Sequence, residues 1–181
     1  MKIKETKIKG CYLLSPEVYY DQRGSFVETY NKKEFEKCMG QQIDFVQDNQ
    51  SISKKGALRG LHFQKGKYSQ AKLVRVVKGE VLDVVVDLRS ESATYGEHFK
   101  IKLTENDYKM LFIPKGLAHG FLSLSNETIF TYKCDEYYNR QAEGGIVYND
   151  SELNIDWELD PNELIISEKD RHLPTFKEVI Q

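Results

Sequence analysis

The sequence predicts an all-β fold, a sandwich or barrel of the jelly-roll kind with a few short helices. Three observations carry that prediction. Short segments alternate apolar and polar residues, and turn signals such as Asp21-Gln22-Arg23-Gly24, Lys54-Lys55-Gly56 and Lys78-Gly79 punctuate them regularly. Helical features are confined to one early segment and the C-terminal region. Aromatic residues make up 12% of the chain, with 11 tyrosines, as suits pleated surfaces. At 181 residues, one domain spanning 1–181 is expected, large enough for a real core.

The elements follow in order. Ile3 to Leu14 reads as a first extended segment, stopped by Ser15-Pro16. After the Asp21–Gly24 turn, Ser25 to Tyr30 alternates like a strand, with Phe26, Glu28 and Tyr30 on one face. Asn31 can cap a short helix, with Glu34 as its capping-box partner and Gly40 as its stop. Leu58 to Gln64 reads as a strand. Lys72–Val77 and Glu80–Arg89 form a hairpin around Lys78-Gly79. Lys72 shares a face with Val74 and Val76; on the second arm Leu82, Val84, Val86 and Leu88 line one face, and Asp83, Val85 and Asp87 the other. Strands at Glu97–Leu103 and Tyr108–Ile113 lead into Pro114–Gly120, read as a loop fixed by one proline and two glycines. Phe121–Ser125 and Thr128–Cys134 make another hairpin around Asn126, with Thr128, Phe130 and Tyr132 on one face. The chain then reads as loop through Glu143-Gly144-Gly145, as extended at Ile146–Tyr148, and as partly helical from Asp160, around Ser167–Asp170.

A net charge of −2 argues against nucleic-acid binding, so any anion must be held by local Arg and Lys. Cys11, Cys38 and Cys134 are widely spaced and form no C-x-x-C, the pattern of reduced thiols in a cytoplasmic protein. The N-terminal MKIKETKIKG has no apolar run behind it, and no window reaches membrane-span length.

The densest chemistry lies in QDNQSISKKGALRGLHFQ, Gln47 to Gln64. His62 points opposite to Leu61 and Phe63, beside Gly60, which suits a pocket floor where a ligand approaches the backbone closely. Taken alone, the segment favours a structural histidine. Arg59 lies three positions from His62, so a regular strand puts the two on opposite faces. Either Arg59 precedes the regular strand or a twist or bulge re-aims it.

Pro114-Lys115-Gly116-Leu117-Ala118-His119-Gly120 is similar to the second signature of the cupin barrels, where that histidine is often a metal ligand. The companion H-x-H motif is missing, with only His62 in its place. Two histidines without a Cys or carboxylate cluster are too few for a metal centre, so the barrel is read as cupin-like and metal-free. An imidazole can then act as a general base, with Asp170 to orient it and Tyr132 as an acid. Spacing alone makes each of these a surface or structural residue. Arg23, Arg59, Lys72 and Lys169 together suit a pyrophosphate, although each alone reads as a solvated charge. No Gly-rich phosphate loop leads into a helix.

Nearly end to end, the chain resembles the dTDP-4-dehydrorhamnose 3,5-epimerase family, cofactor-independent sugar-nucleotide epimerases of rhamnose biosynthesis. The resemblance is carried by DQRGSFVE (Asp21–Glu28), by Gln47–Gln64, and by QAKLVRVVKGEVLDVVVDLR (Gln70–Arg89). It continues in IPKGLAHGFL (Ile113–Leu122), YKCDEYY (Tyr132–Tyr138) and SEKD (Ser167–Asp170). It implies His62 as catalytic base, Asp170 as the carboxylate that holds it, Tyr132 as the acid on the opposite sugar face, and Lys72 as the cation near the 4-keto oxygen. Arg23, Glu28, Gln47, Asn49, Arg59, His119, Glu143 and Lys169 fall on substrate-holding positions, and Asp48 is grouped with them. Tyr138 matches a stacking aromatic, and Phe26 resembles part of the thymine platform. The family also implies a homodimer with exchanged N-terminal strands, no cofactor, and a dTDP-4-keto-6-deoxy sugar as substrate. Asn139-Arg140 and Tyr148 stand where the family pattern has proline and tryptophan. The expected function is 3,5-epimerisation of dTDP-4-dehydro-6-deoxy-D-glucose. The alternatives are a single-centre epimerase on a related 4-keto sugar, a sugar 3,4-ketoisomerase, a non-catalytic sugar-nucleotide-binding cupin, and a metal-dependent cupin.

Overall fold

Alternation and tight turns lay down a strand-rich chain, described over residues 1–180 by a computed structural model. In order the elements are β1 (Lys2–Glu5), β2 (Tyr12–Ser15), β3 (Val18–Asp21), β4 (Gly24–Val27), α1 (Lys32–Met39), β5 (Gln47–Ser53) and β6 (Ala57–Gln64). Then come β7 (Lys72–Lys78), β8 (Glu80–Asp87), β9 (His98–Thr104), β10 (Met110–Ile113), β11 (Leu117–Ser123) and β12 (Thr128–Cys134). The chain continues through β13 (Glu143–Gly145), β14 (Ile165–Ile166), α2 (Glu168–Arg171) and α3 (Phe176–Ile180).

Two sheets form a cupin-like sandwich. One runs β1-β2-β10-β7-β12-β5, the other β13-β6-β11-β8-β9, with β14 alongside β6 in parallel; β3 and β4 pair only with each other. Alternation gives each sheet two faces with different work. Val74, Val76, Phe130 and Leu111 meet Val81, Val85, Leu103 and Phe121 between the sheets. Behind the second sheet, Leu82, Val84 and Val86 pack on Ile146, Leu153, Trp157 and Phe176. Behind the first, Leu14, Leu73 and Phe112 are covered by Phe35 of α1 and by Ile43. The division of the β8 side chains between two faces therefore matches the sequence reading.

Helix α1 sits where its cap residues place it. Asn31 Oδ1 accepts from the Glu34 amide at 3.3 Å, and Gly40 ends the helix at φ +67°. Three expectations need correction. Ile3–Leu14 is two strands, because the chain turns at Gly10 (φ +78°) and buries Ile8 and Cys11. Pro114–Gly120 is not a loop throughout: the turn ends at Gly116, and from Leu117 the chain pairs with β8. Glu143–Gly145, read as loop, is strand β13 against the end of β6; β5, which carries no strand signal in the sequence, pairs along its length with β12.

The conflict over Arg59 and His62 is resolved by a bulge. His119 pairs with His62 and Phe121 with Arg59, so Gly60 and Leu61 oppose the single residue Gly120. The extra residue turns Arg59 and His62 to the same side. Gly60 does not make room for a ligand, as the sequence suggests; it makes room for β11. A Cβ on Gly60 (φ +128°) stands 2.5 Å from Gly120 Cα and 2.9 Å from His119 O. A Cβ on Gly120 stands 2.7 Å from Arg59 O. These neighbours are backbone and cannot rotate away.

Gly60→Ala is therefore expected to cost roughly 2–5 kcal/mol in urea unfolding, combining backbone strain with overpacking. Gly40→Ala is the control. It too has a positive φ, +67°, with nothing within 4 Å, and carries strain alone, about 1–3 kcal/mol. Equal losses at the two positions would contradict the close-approach account.

Candidate functional site

Between the sheets the sandwich opens into a cavity of about 560 Å³. Arg59 and His62 of β6 and His119 of β11 line one wall, Lys72 of β7 and Tyr132 of β12 the opposite wall, and Lys169 and Asp170 of α2 the mouth. An adjoining hollow of about 290 Å³ shares His62, Lys72 and Tyr132 and adds Gln47, Asn49, Tyr138 and Glu143.

His62 faces this space while Leu61 is buried in the core behind the sheet. Parallel pairing of β14 with β6 brings α2 alongside, where Ser167 caps it by accepting from the Asp170 amide at 3.1 Å. Asp170 Oδ1 then lies 2.7 Å from His62 Nε2, and Oδ2 accepts from the Gly60 amide at 3.3 Å. Burial favours a protonated Asp170, but the His62, Gly60 and Ser167 contacts outweigh it and hold the carboxyl below its usual range. An ionised Asp170 accepts the Nε2 proton. His62 Nδ1 keeps its lone pair and can take a proton from a ligand.

Lys72 and Tyr132 stand together across from His62, the Lys72 Nζ 6.0 Å from the Tyr132 ring centroid. Burial pushes Lys72 down, against the pull of Cys134, Asp83 and Glu143. Burial pushes Tyr132 up, aided by Cys134 and opposed by Arg59, so the phenol keeps its proton. Arg59 is held by Ser53 Oγ at 3.1 Å, with guanidinium hydrogens left over for an anion. His119 is buried, and its Nε2 lies 3.0 Å from Asp83 Oδ2.

At the rim, Glu143 accepts from Lys169 at 2.6 Å and from the Tyr138 hydroxyl at 3.0 Å. Burial works against ionisation of Glu143, but these two bonds prevail and lower its pKa. Gln47 Oε1 accepts from the Tyr138 amide at 3.0 Å, and Gln47 Nε2 donates to Asn49 Oδ1 at 2.9 Å.

Not every expected residue joins them. Asp48 is a correction: strand alternation turns it to the opposite face of β5 from Gln47 and Asn49, where it accepts from Lys133 at 2.7 Å. Arg23 and Phe26 line a separate hollow on the β3–β4 hairpin, Arg23 paired with Asp21 at 2.6 Å. Glu28 accepts from Asn31 at 3.3 Å, beside α1.

Two side chains escaped the sequence reading. Gln64, two residues after His62, is buried; its amide donates to Tyr68 O (2.7 Å) and Tyr137 O (3.1 Å) and accepts from the Asn139 amide (2.6 Å). It brackets Tyr138. Asp83 sits fully buried against His119, and a carboxylate inside the apolar run VLDVVVDL was a visible signal. Among the described residues, no group of three or more histidine, cysteine and acidic side chains is placed to hold a metal ion.

A jelly-roll barrel with an anchored imidazole facing a phenol and a half-buried ammonium defines an acid–base site for small anionic ligands. A family model for dTDP-4-dehydrorhamnose 3,5-epimerase matches residues 5–178. The dTDP-4-dehydrorhamnose 3,5-epimerase of Methanothermobacter thermautotrophicus is 49% identical over 175 residues, covering 96% of this chain and 94% of its own. The crystal structure of the Elizabethkingia anophelis enzyme of the same name superposes with a TM-score of 0.95 at 47% identity, covering 100% and 99% of the two chains. A dTDP-6-deoxy-D-glucose-3,5-epimerase from Legionella pneumophila, in complex with dTDP-4-keto-L-rhamnose, gives 0.93 at 41%, covering 97% and 93%. The chain belongs to the dTDP-4-dehydrorhamnose 3,5-epimerase family.

Gln64→Leu leaves two carbonyls and one amide unpaired around Tyr138. The expected outcome is faster amide hydrogen exchange at Tyr137–Asn139 and a stability loss of about 1–3 kcal/mol. Unchanged exchange in that segment would show that Gln47 and Glu143 suffice to hold it.

Proposed function

We propose that this protein, as one domain, inverts C3 and C5 of a dTDP-linked 4-keto-6-deoxy-glucose, giving the 4-keto-L-rhamnose form. The observation that carries this reading is the placement of His62, held by Asp170 on one sheet, opposite Tyr132 and Lys72 on the other. A ketone at C4 acidifies the hydrogens on C3 and C5. His62 Nδ1 removes one, and the electron pair moves into the C4 carbonyl to give an enolate. Its oxygen faces the Lys72 ammonium, a fixed charge between the two sheets. Tyr132 gives its proton to the carbon from the opposite face, and the centre is inverted. His62 now carries an extra proton and Tyr132 lacks one; exchange with solvent resets both before the second centre reacts. No electrons are gained or lost overall, so the reaction itself calls for no redox partner. Arg59, His119 and Lys169 provide cations and donors for the diphosphate, and Gln47, Asn49, Glu143 and Tyr138 hold the sugar and base.

The β3–β4 hairpin is assigned to a second copy. It forms a sheet of its own, and Tyr20 and Phe26 on it are 74% and 68% exposed, a costly state for large aromatics in a monomer. In a dimer with exchanged hairpins, Arg23 and Phe26 complete the neighbouring cavity at the nucleotide end, and Glu28 follows. The cytoplasm is the assigned compartment, because Cys11, Cys38 and Cys134 are all free thiols.

Two measurements check these assignments. In D2O, proton NMR of dTDP-4-keto-6-deoxyglucose should show loss of the C3 and C5 signals. His62→Ala should slow both about 10²–10⁴-fold, whereas Tyr132→Phe should still exchange but without inversion. Exchange at one carbon only would make this a single-centre epimerase, and none at all would move a different nucleotide sugar or a binding protein to the front. For the dimer, His62→Ala and Arg23→Ala chains, each inactive, are refolded together. Recovery of activity is expected, because one cavity of the mixed dimer then has both residues; no recovery would place each hairpin at its own cavity.

A further inference from the structure

Asp83 takes no part in the proton transfers above, yet it is fully buried with one carboxylate oxygen unpaired. It lies fully buried on the interior face of β8, between Val81 and Val85. Oδ2 accepts from His119 Nε2 at 3.0 Å, while Oδ1 has no hydrogen-bond partner among the described residues. A desolvated carboxylate with a bare oxygen opposes folding unless positive charge lies close by. Two groups can answer it. His119 touches it directly and is the cross-strand partner of His62, so two imidazole–carboxylate pairs stand side by side. Lys72 projects from the opposite sheet into the same interior, on the face of β7 that carries Val74 and Val76.

We propose that Asp83 is a positioning residue, fixing the His119 ring through Nε2–H and supplying the counter-charge that keeps the Lys72 head group cationic beneath the ligand. This rests on, and deepens, the reading of Lys72 as the cation facing the enolate. Cys134 and Glu143 also favour the charged form of Lys72, but neither offers a free, fixed negative charge. Tyr132 and Cys134, from β12, are kept neutral by burial, the thiol pushed up to about 11. Glu143 of β13 gives its charge to Lys169 at 2.6 Å, and Asp170 gives its own to His62 at 2.7 Å. His62 and His119, from β6 and β11, supply no negative charge. Burial, the main influence on Lys72, removes its proton more easily, and Asp83 acts against it. The same carboxylate also reaches Cys11, a thiol pushed up to about 12 mainly by burial.

The test separates charge from ring anchoring. Asp83→Asn removes the charge but keeps an acceptor for His119; Asp83→Leu removes both. Full-length chains labelled with 13Cε-lysine are titrated by NMR without substrate, the Lys72 signal being assigned with Lys72→Met. In both Asp83 variants the Lys72 midpoint should fall by about one unit or more, since a cation loses its opposite charge. The alkaline limb of C3 and C5 exchange should move to lower pH by the same amount. KM should rise in Asp83→Leu and stay near the parent value in Asp83→Asn. Melting temperatures should fall at neutral pH, where Lys72 is left without its opposite charge, and fall less at alkaline pH, where Lys72 is neutral. A Lys72 midpoint that does not move in either variant overturns the proposal, as does a fall in melting temperature with an unchanged pH profile. Should the parent chain exchange neither carbon, the assigned substrate fails while the substrate-free titration still decides the role of Asp83.

Discussion

The backbones of β6 and β11 touch at Gly60 and Gly120, closer than any side chain on either permits, and the site is built out from that contact. Because the strands approach so closely, β6 takes up one extra residue against β11, and the bulge swings Arg59 to the side already occupied by His62. Because β11 runs beside β6 in that register, His119 falls directly across from His62. The amide of Gly60 also reaches Asp170, so the glycine that permits the contact helps to place the carboxylate that orients the imidazole. A larger residue at either position would push apart every group on that wall.

A sandwich that keeps a cavity between its sheets gives up part of the core that would normally hold it together. Lys72, Asp83, Tyr132 and Cys134 occupy interior positions that a plain sandwich fills with aliphatic side chains. Buried ions cost several kcal/mol each unless well matched, while each large apolar side chain removed from water contributes about 1.5–3 kcal/mol. The outer faces offset the loss. Trp157, Ile146, Leu153 and Phe176 cover the second sheet, and α1 covers the first with Phe35 against Phe112, ring centroids 5.8 Å apart. The segments between and after the strands are thus structural in effect, although they carry few strands of their own.

What the sequence made legible follows from where side chains meet water. The β7–β8 hairpin announces itself because two valine-rich runs flank the Lys78-Gly79 turn, and α1 because Asn31 and Gly40 are cap residues for physical reasons that need no tertiary context. β5 was invisible as a strand: its cavity face carries Gln47, Asn49, Ser51 and Ser53, and its outer face Asp48, Gln50 and Ile52, so no apolar period appears. Polarity there serves the ligand, and the hydrophobic signal is lost for the same reason. Alternation also separates Asp48 from its two neighbours, which a motif treats as a unit. The convergence of His62, Lys72, Tyr132 and Asp170 rests on resemblance at the level of sequence, because contacts between residues far apart in the chain leave no local trace. The pairing of Asp83 with His119, by contrast, was half visible in an acid placed within a valine run.

The carboxylate that fixes the His62 ring sits on a four-residue helix more than a hundred positions further along the chain, delivered by the short parallel contact of β14 with β6. During translation, all of the barrel strands are made before it. A nascent chain that has folded its two sheets therefore holds the imidazole, the phenol and the ammonium in place, but the imidazole is untethered. Proton-transfer competence therefore waits on the docking of the C-terminal segment onto β6.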